Sequence, residues 1–219
     1  MRNQRIATRA VLFDWDGTLL NSYGADSRAY LSMFRALGIN WNIEDLARNY
    51  SPNWLRVYRA ARLPQSRWKE ADRLWHLAYD KETPRLLPGA RNVLRRLGAR
   101  FILGLVTSGN RRRVRRQLRD FELARYFRAV VCAEDASHRK PHPAPLRLAL
   151  DRLGLAADAC VYVGDAPDDI FMARRAGVRA IGVAGPFPTA ARVRAARPDT
   201  WLDSIAELPR KLSLLSERG

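Results

Sequence analysis

The chain has 219 residues, 47% of them hydrophobic, enough for one good core and a smaller inserted one. Its mean hydropathy is −0.34, and no apolar run approaches the roughly 20 residues of a membrane span, which excludes a membrane partner. A formal charge of +17 raises nucleic acid as a partner, yet the basic residues are spread along the chain and all but Lys69, Lys81, Lys140 and Lys211 are Arg, a habit of composition rather than one patch.

The basic stretch Met1–Arg9 is followed by Asp14-Trp15-Asp16 rather than by a signal-peptide apolar core, so a cytoplasmic protein is expected. Cys132 and Cys160 lie far apart, each in an apolar stretch, and read as buried free thiols. Ala10-Val11-Leu12-Phe13 is a continuous apolar run that meets Asp14, Asp16, Gly17 and Thr18. Such a run reads as a strand buried on both faces of a parallel sheet. The two carboxylates then stand at its C-terminal end, where open α/β sheets place ligands. Two residues apart on extended backbone, they leave on the same side. They repel unless a cation binds them or one holds a proton.

Residues 24–38 show helical spacing through Tyr30, Leu31, Phe34 and Leu37, with Gly38 as the expected stop. A short helix is expected over 43–49, another from Ser51-Pro52 to Ala61, and a third from Gln65 to Lys81. Residues 22–84 therefore read as an all-helical insert between two pieces of one domain, 1–21 and 85–219. The insert holds Trp41, Trp54, Trp68 and Trp75, four of six tryptophans. They suit a small core that needs bulky residues. Trp54 is the best candidate for a wall over a substrate.

Beyond residue 89, helices and strands alternate. Strands are expected at 101–106, 129–132, 160–163, 178–183 and 200–202, and helices at 89–98, 111–119, 145–153, 168–176 and 204–212. This alternation predicts βαβ units and a parallel, Rossmann-like α/β sheet. The strand at 101–106 ends in Thr107-Ser108-Gly109-Asn110. A hydroxyl and free N–H groups before a helix make an anion site, though Ser108 or Asn110 could simply cap that helix. Lys140-Pro141 opens another helix; a Lys kept where nearly every other basic residue is Arg suggests that its size matters. The strand at 160–163 runs into Gly164-Asp165-Ala166-Pro167-Asp168-Asp169, again acidic at a strand's C-terminal end. Asp168 reads as a helix cap.

Asp14-x-Asp16-Gly17-Thr18, Thr107, Lys140-Pro141 and Gly164-Asp165-x-x-x-Asp169 resemble, in order, the four motifs of the haloacid dehalogenase superfamily, in particular its phosphoglycolate phosphatase-like subgroup with a helical cap. Asn21 departs from the pattern, since many relatives carry Asp there. The resemblance implies a Mg²⁺-dependent phosphatase acting on a small phosphate monoester through an aspartyl phosphate. Asp14 is then the nucleophile and Asp16 the general acid/base. Lys140 neutralises charge, while Thr107, Ser108 and Gly109 hold the phosphoryl group. Asp14, Asp165, the Asp16 carbonyl and Asp169, the last through water, surround the metal. The partner implied is a small phosphorylated metabolite, met by a monomer or homodimer. A sugar-phosphate mutase or haloacid dehalogenase of the same fold is the alternative within the family. A basic nucleic-acid-binding protein is the alternative from another class, although no aromatic–basic recognition motif accompanies the charge.

Overall fold

The computed structural model describes residues 7–217; residues 1–6 of the basic N-terminal stretch and 218–219 lie outside the described residues. In chain order the elements are β1 (Ala10–Phe13), β2 (Leu20–Asn21), α1 (Tyr23–Ala36), α2 (Ile43–Asn49), α3 (Trp54–Ala60), α4 (Trp68–Tyr79) and β3 (Arg85–Leu86). There follow α5 (Ala90–Gly98), β4 (Ile102–Val106), α6 (Arg111–Asp120), β5 (Phe127–Val131), α7 (Ala144–Leu153), β6 (Cys160–Gly164), α8 (Pro167–Arg175), β7 (Arg179–Val183), α9 (Ala190–Ala195), β8 (Thr200–Leu202) and α10 (Leu208–Glu217).

Six strands form one sheet in the order β5-β4-β1-β6-β7-β8, every pairing parallel. The chain builds outward from β1 on one side, then returns to build outward from β6 on the other. This is the doubly wound arrangement, and its ligand crevice lies past the strand ends where the order reverses, between β1 and β6. Asp14 follows β1 directly and Asp165 follows β6 directly, so the fold alone sets them side by side.

Alternation along the strands serves two layers. Val11 and Phe13 join Leu103, Leu105, Val161 and Val163 under α5, α6 and α10. Ala10 and Leu12 join Cys160 and Tyr162 under α7, α8 and α9. All four β1 side chains are fully buried, which is why this strand shows no polar alternation. Cys132 and Cys160 are buried free thiols, as expected.

Helices α1 to α4 pack on one another around Tyr30, Met33, Phe34, Leu46, Val57 and Tyr58. Gly38 takes the left-handed φ of +78° and ends α1 as expected. Two boundaries move inward. Helix α3 starts at Trp54, because the Asn53 side chain accepts from the Leu55 N–H and caps there. The first residues of the helix expected from Gln65 form a separate 3₁₀ turn, Gln65–Arg67. The sequence reading did not anticipate the β2–β3 ladder. It pairs Leu20 with Leu86 and Asn21 with Arg85 antiparallel, and it joins the two chain segments that lead into and out of α1–α4.

Candidate active site

Three carboxylates and one ammonium meet at the reversal point of the sheet. Lys140 Nζ donates to Asp14 Oδ1 at 2.7 Å, to Asp169 Oδ1 at 2.8 Å and to the Tyr162 hydroxyl at 2.7 Å. Lys140 is 4% exposed, unlike the solvated Arg that dominate the chain. All three ammonium donors are thereby used. Tyr162 Oη in turn donates to the Val106 carbonyl at 2.9 Å, which ties the cluster to the end of β4.

Asp165 completes the group. Its Oδ1 accepts from the Thr18 hydroxyl at 3.0 Å, and Thr189 Oγ1 donates to its backbone carbonyl at 2.7 Å. Gly17 lies so close, at a φ of +84°, that a Cβ there would overlap the Asp165 carboxylate; the turn after β1 therefore needs glycine. Asp14, Asp165 and Asp169 each offer an oxygen, all within 4.8 Å of one another. Burial pushes the Asp14 carboxyl up to about 7 against the pull of Lys140, with Asp169 adding to the rise. Burial also raises Asp165 well above the usual range, helped by the charges of Asp14 and Asp169. Three carboxyl groups crowd around a single buried ammonium. Their hard oxygen donors suit a divalent cation, so the residues present fit a metal at this point.

Asp16 finds a different cation. Arg113 holds it with Nη1 on Oδ1 at 2.9 Å and Nη2 on Oδ2 at 2.7 Å. Burial alone would raise the Asp16 carboxyl, but the Arg113 charge and hydrogen bonds outweigh this and hold it below the usual range. The repulsion expected of the Asp14–Asp16 pair is thus eased by two separate cations, Lys140 and Arg113, and on Asp14 also by the raised pKa that favours its protonated form.

After β4, Thr107 is 3% exposed and its Oγ1 accepts from the Gly109 N–H at 3.0 Å. Of the two capping candidates, Asn110 takes the role, accepting from the Arg113 N–H at 2.8 Å. Ser108 and Gly109 line the same cavity as Asp14, Asp16, Thr107, Lys140, Asp165 and Asp169. The sequence-derived candidates therefore converge on one place. Asp168 lies in the first turn of α8, where its charge suits the helix dipole as expected, although it makes no capping hydrogen bond and instead pairs with Arg56 of α3, Nη1 to Oδ1 at 3.3 Å. Helix α8 begins at Pro167, so Asp169 is its third residue, and it is this side chain that reaches back to the Ala166 N–H at 3.0 Å.

The cavity measures about 260 Å³ and is lined on the helical side by α1, α3, α4 and the segment before α3. Trp54 does line it, together with Tyr30, Tyr58 and Trp75. Asp26 of α1 lines it too, and burial raises its carboxyl to about 8, with the Asp16 charge adding to the rise. Arg139 stacks on the Trp54 ring at 5.3 Å. Sequence reasoning missed Arg113, Tyr162 and Asp26. Arg113 stands in a run of three arginines that gives it no distinguishing mark.

The family model for haloacid dehalogenase-like hydrolases matches residues 11–183. The chain belongs to this family. Among curated members, it is 30% identical over 215 residues to the phosphoglycolate phosphatase of Yersinia pseudotuberculosis, covering 92% of each chain. It is 29% identical over 234 residues to that of Escherichia coli, covering 94% of this chain and 93% of the relative. The crystal structure of CbbY from Rhodobacter sphaeroides in complex with phosphate superposes with a TM-score of 0.78 at 26% identity, over 92% of this chain and 96% of that one. A predicted phosphoglycolate phosphatase from Haemophilus somnus gives a TM-score of 0.83 at 24% identity, over 93% and 97%, and shares the fold. This haloacid dehalogenase-like hydrolase is a phosphoric monoester hydrolase with a doubly wound core and an inserted helical cap. Among the described residues no helix is long and apolar enough to cross a membrane.

Proposed function

We propose that this protein hydrolyses a small phosphate monoester with Asp14 as nucleophile and Asp16 as general acid/base. The observation that supports it is the placing of these two carboxylates in one buried cavity with different cations, Lys140 and Arg113. An Asp14 oxygen attacks phosphorus in line and forms an aspartyl phosphate as the ester oxygen leaves. Asp16, once it has taken up a proton against the pull of Arg113, gives it to that oxygen, then takes one from the water that attacks the intermediate. Lys140 holds Asp14 in place and faces the phosphoryl oxygens as a compact charge. The Thr107 hydroxyl, which accepts from Gly109 N–H, keeps its own proton for a phosphoryl oxygen; Ser108 offers further donors there, and Gly109 lines the same cavity.

The metal in this reading would be Mg²⁺, held by Asp14, Asp165 and the backbone carbonyl of Asp16, with Asp169 acting through water. When bound, it supplies charge stabilisation to the phosphoryl oxygens. The chain divides as a catalytic core, 1–21 and 85–219, and a cap, 22–84. The cap excludes water and chooses the leaving group. The names of the curated relatives favour phosphoglycolate among small phosphorylated metabolites as the first ester to try. We place the enzyme in the cytoplasm, as a monomer or homodimer.

A panel of phosphate esters, phosphoglycolate included, assayed with Mg²⁺ tests the reading. Turnover of at least one small ester by wild type, and none by Asp14→Asn, is expected. Turnover by Asp14→Asn near the wild-type rate would overturn it.

A further inference from the structure

Arg113 is a buried cation, engaged through both terminal nitrogens, that no step above uses. Its side chain is 7% exposed, against 23% for Asp16. Both terminal nitrogens grip both Asp16 oxygens. Such a fork uses one lone pair on each oxygen, and Asp16 itself lines the cavity. A free Asp carboxylate turns easily about its last bond, whose torsional preference is broad; a bidentate partner removes that freedom.

Arg113 is itself held from three directions. The Tyr79 ring of α4 lies under the guanidinium at 4.9 Å, and the Tyr79 hydroxyl accepts from Nη1 at 3.3 Å. Gln117, one turn along α6, accepts from Nη1 at 3.4 Å, and the same Gln117 oxygen is fixed by the Trp15 indole N–H at 2.8 Å. Below, Gly109 leaves room: a Cβ there would collide with Nη2 of Arg113. The guanidinium is thus seated between the loop that carries Thr107 and the last turn of the cap helix α4.

We propose that Arg113 is a positioning residue that fixes the plane of the Asp16 carboxylate toward the ester oxygen, with Tyr79 of the cap holding it there. The proposal rests on the phosphatase reading and names a residue which that reading does not require. The cap then acts on the chemistry through contact as well as by covering the cavity: α4 braces Arg113, and Arg113 aims Asp16.

The test uses the full chain with Mg²⁺ and two esters. p-Nitrophenolate leaves without needing a proton, whereas an alkyl ester such as glycerol phosphate needs one from Asp16. For Arg113→Met the expected result is a fall in kcat on the alkyl ester on the order of a hundredfold, the low end of what a positioned acid supplies. The fall on p-nitrophenyl phosphate is smaller, and KM is unchanged on both. Arg113→Lys, which keeps the charge with one contact, recovers part of the loss on the alkyl ester. Arg112→Met, at a neighbouring residue that pairs with Asp80 outside the cavity, leaves both rates as in wild type. Tyr79→Phe keeps the ring and loses the hydroxyl; it shows the same imbalance between esters in weaker form and provides the test should Arg113→Met not fold. Equal falls on both esters, or unchanged kcat in Arg113→Met, would overturn the role. Wild-type inactivity on both esters would overturn the phosphatase reading itself, and this role with it.

Discussion

Lys140→Arg separates the chemistry of the site from its charge. The substitution keeps the positive charge but replaces a point donor by a planar, wider fork. Lys140 Nζ meets three acceptors at 2.7 to 2.8 Å from three directions, Asp14, Asp169 and the Tyr162 hydroxyl. A flat guanidinium cannot satisfy such a set, and the Tyr162 ring at 5.3 Å limits how far it can shift. Asp14 is then displaced by about an ångström, and errors of that size cost on the order of a hundredfold in rate. That corresponds to about 2.7 kcal/mol in barrier height. The fold should lose much less, because no buried carboxylate is left without a cation. Steady-state kcat on p-nitrophenyl phosphate, with thermal unfolding beside it, reads both quantities. Lys69→Arg, on the exposed side of α4, is the control and should match wild type. A Lys140→Arg enzyme with kcat within twofold of wild type would refute the argument that size, not charge alone, keeps lysine here.

Asp26→Asn should raise the melting temperature at pH 8, with the gain shrinking as pH falls toward 4. The sign follows from burial: Asp26 ionises near 4 when unfolded but only near 8 when folded, so the native state loses stability between those values as pH rises. A pH-independent effect in differential scanning calorimetry would contradict this. Chelation by excess EDTA should abolish turnover and Mg²⁺ should restore it. Ca²⁺ should inhibit, since its longer bonds and higher coordination misplace Asp14; full activity in EDTA would contradict the placing of a metal among Asp14, Asp165 and Asp169.

The strand ends were legible because a parallel sheet buries its strands on both faces. Val11 and Phe13 enter one layer and Leu12 the other, so an unbroken apolar run that stops at Asp14 marks both the strand and its ligand end. Lys140 stood out only against the arginine-rich background, a contrast of composition rather than of spacing. Arg113 was not legible, since its neighbours Arg111 and Arg112 are chemically identical and only the rotation of α6 turns one of the three inward. Helix α9 has a single large buried apolar residue, Val193, and hence no period to read. The β2–β3 ladder spans two residues per strand, too few for alternation to show. Asp26 faces the cavity because of how α1 packs on α4, a tertiary fact that local patterning does not carry. The same holds for Asp168, whose partner Arg56 is 112 positions away.

The central claim is that Asp14 carries the phosphoryl group between two half-reactions. Rapid-quench mass spectrometry during turnover of p-nitrophenyl phosphate with Mg²⁺ tests it most directly. One phosphoryl group per chain is expected, located by fragmentation on Asp14, formed at the rate of nitrophenolate release and discharged within the turnover time. A phosphoryl group on any other residue, or turnover with none on Asp14 at any quench time, would contradict it.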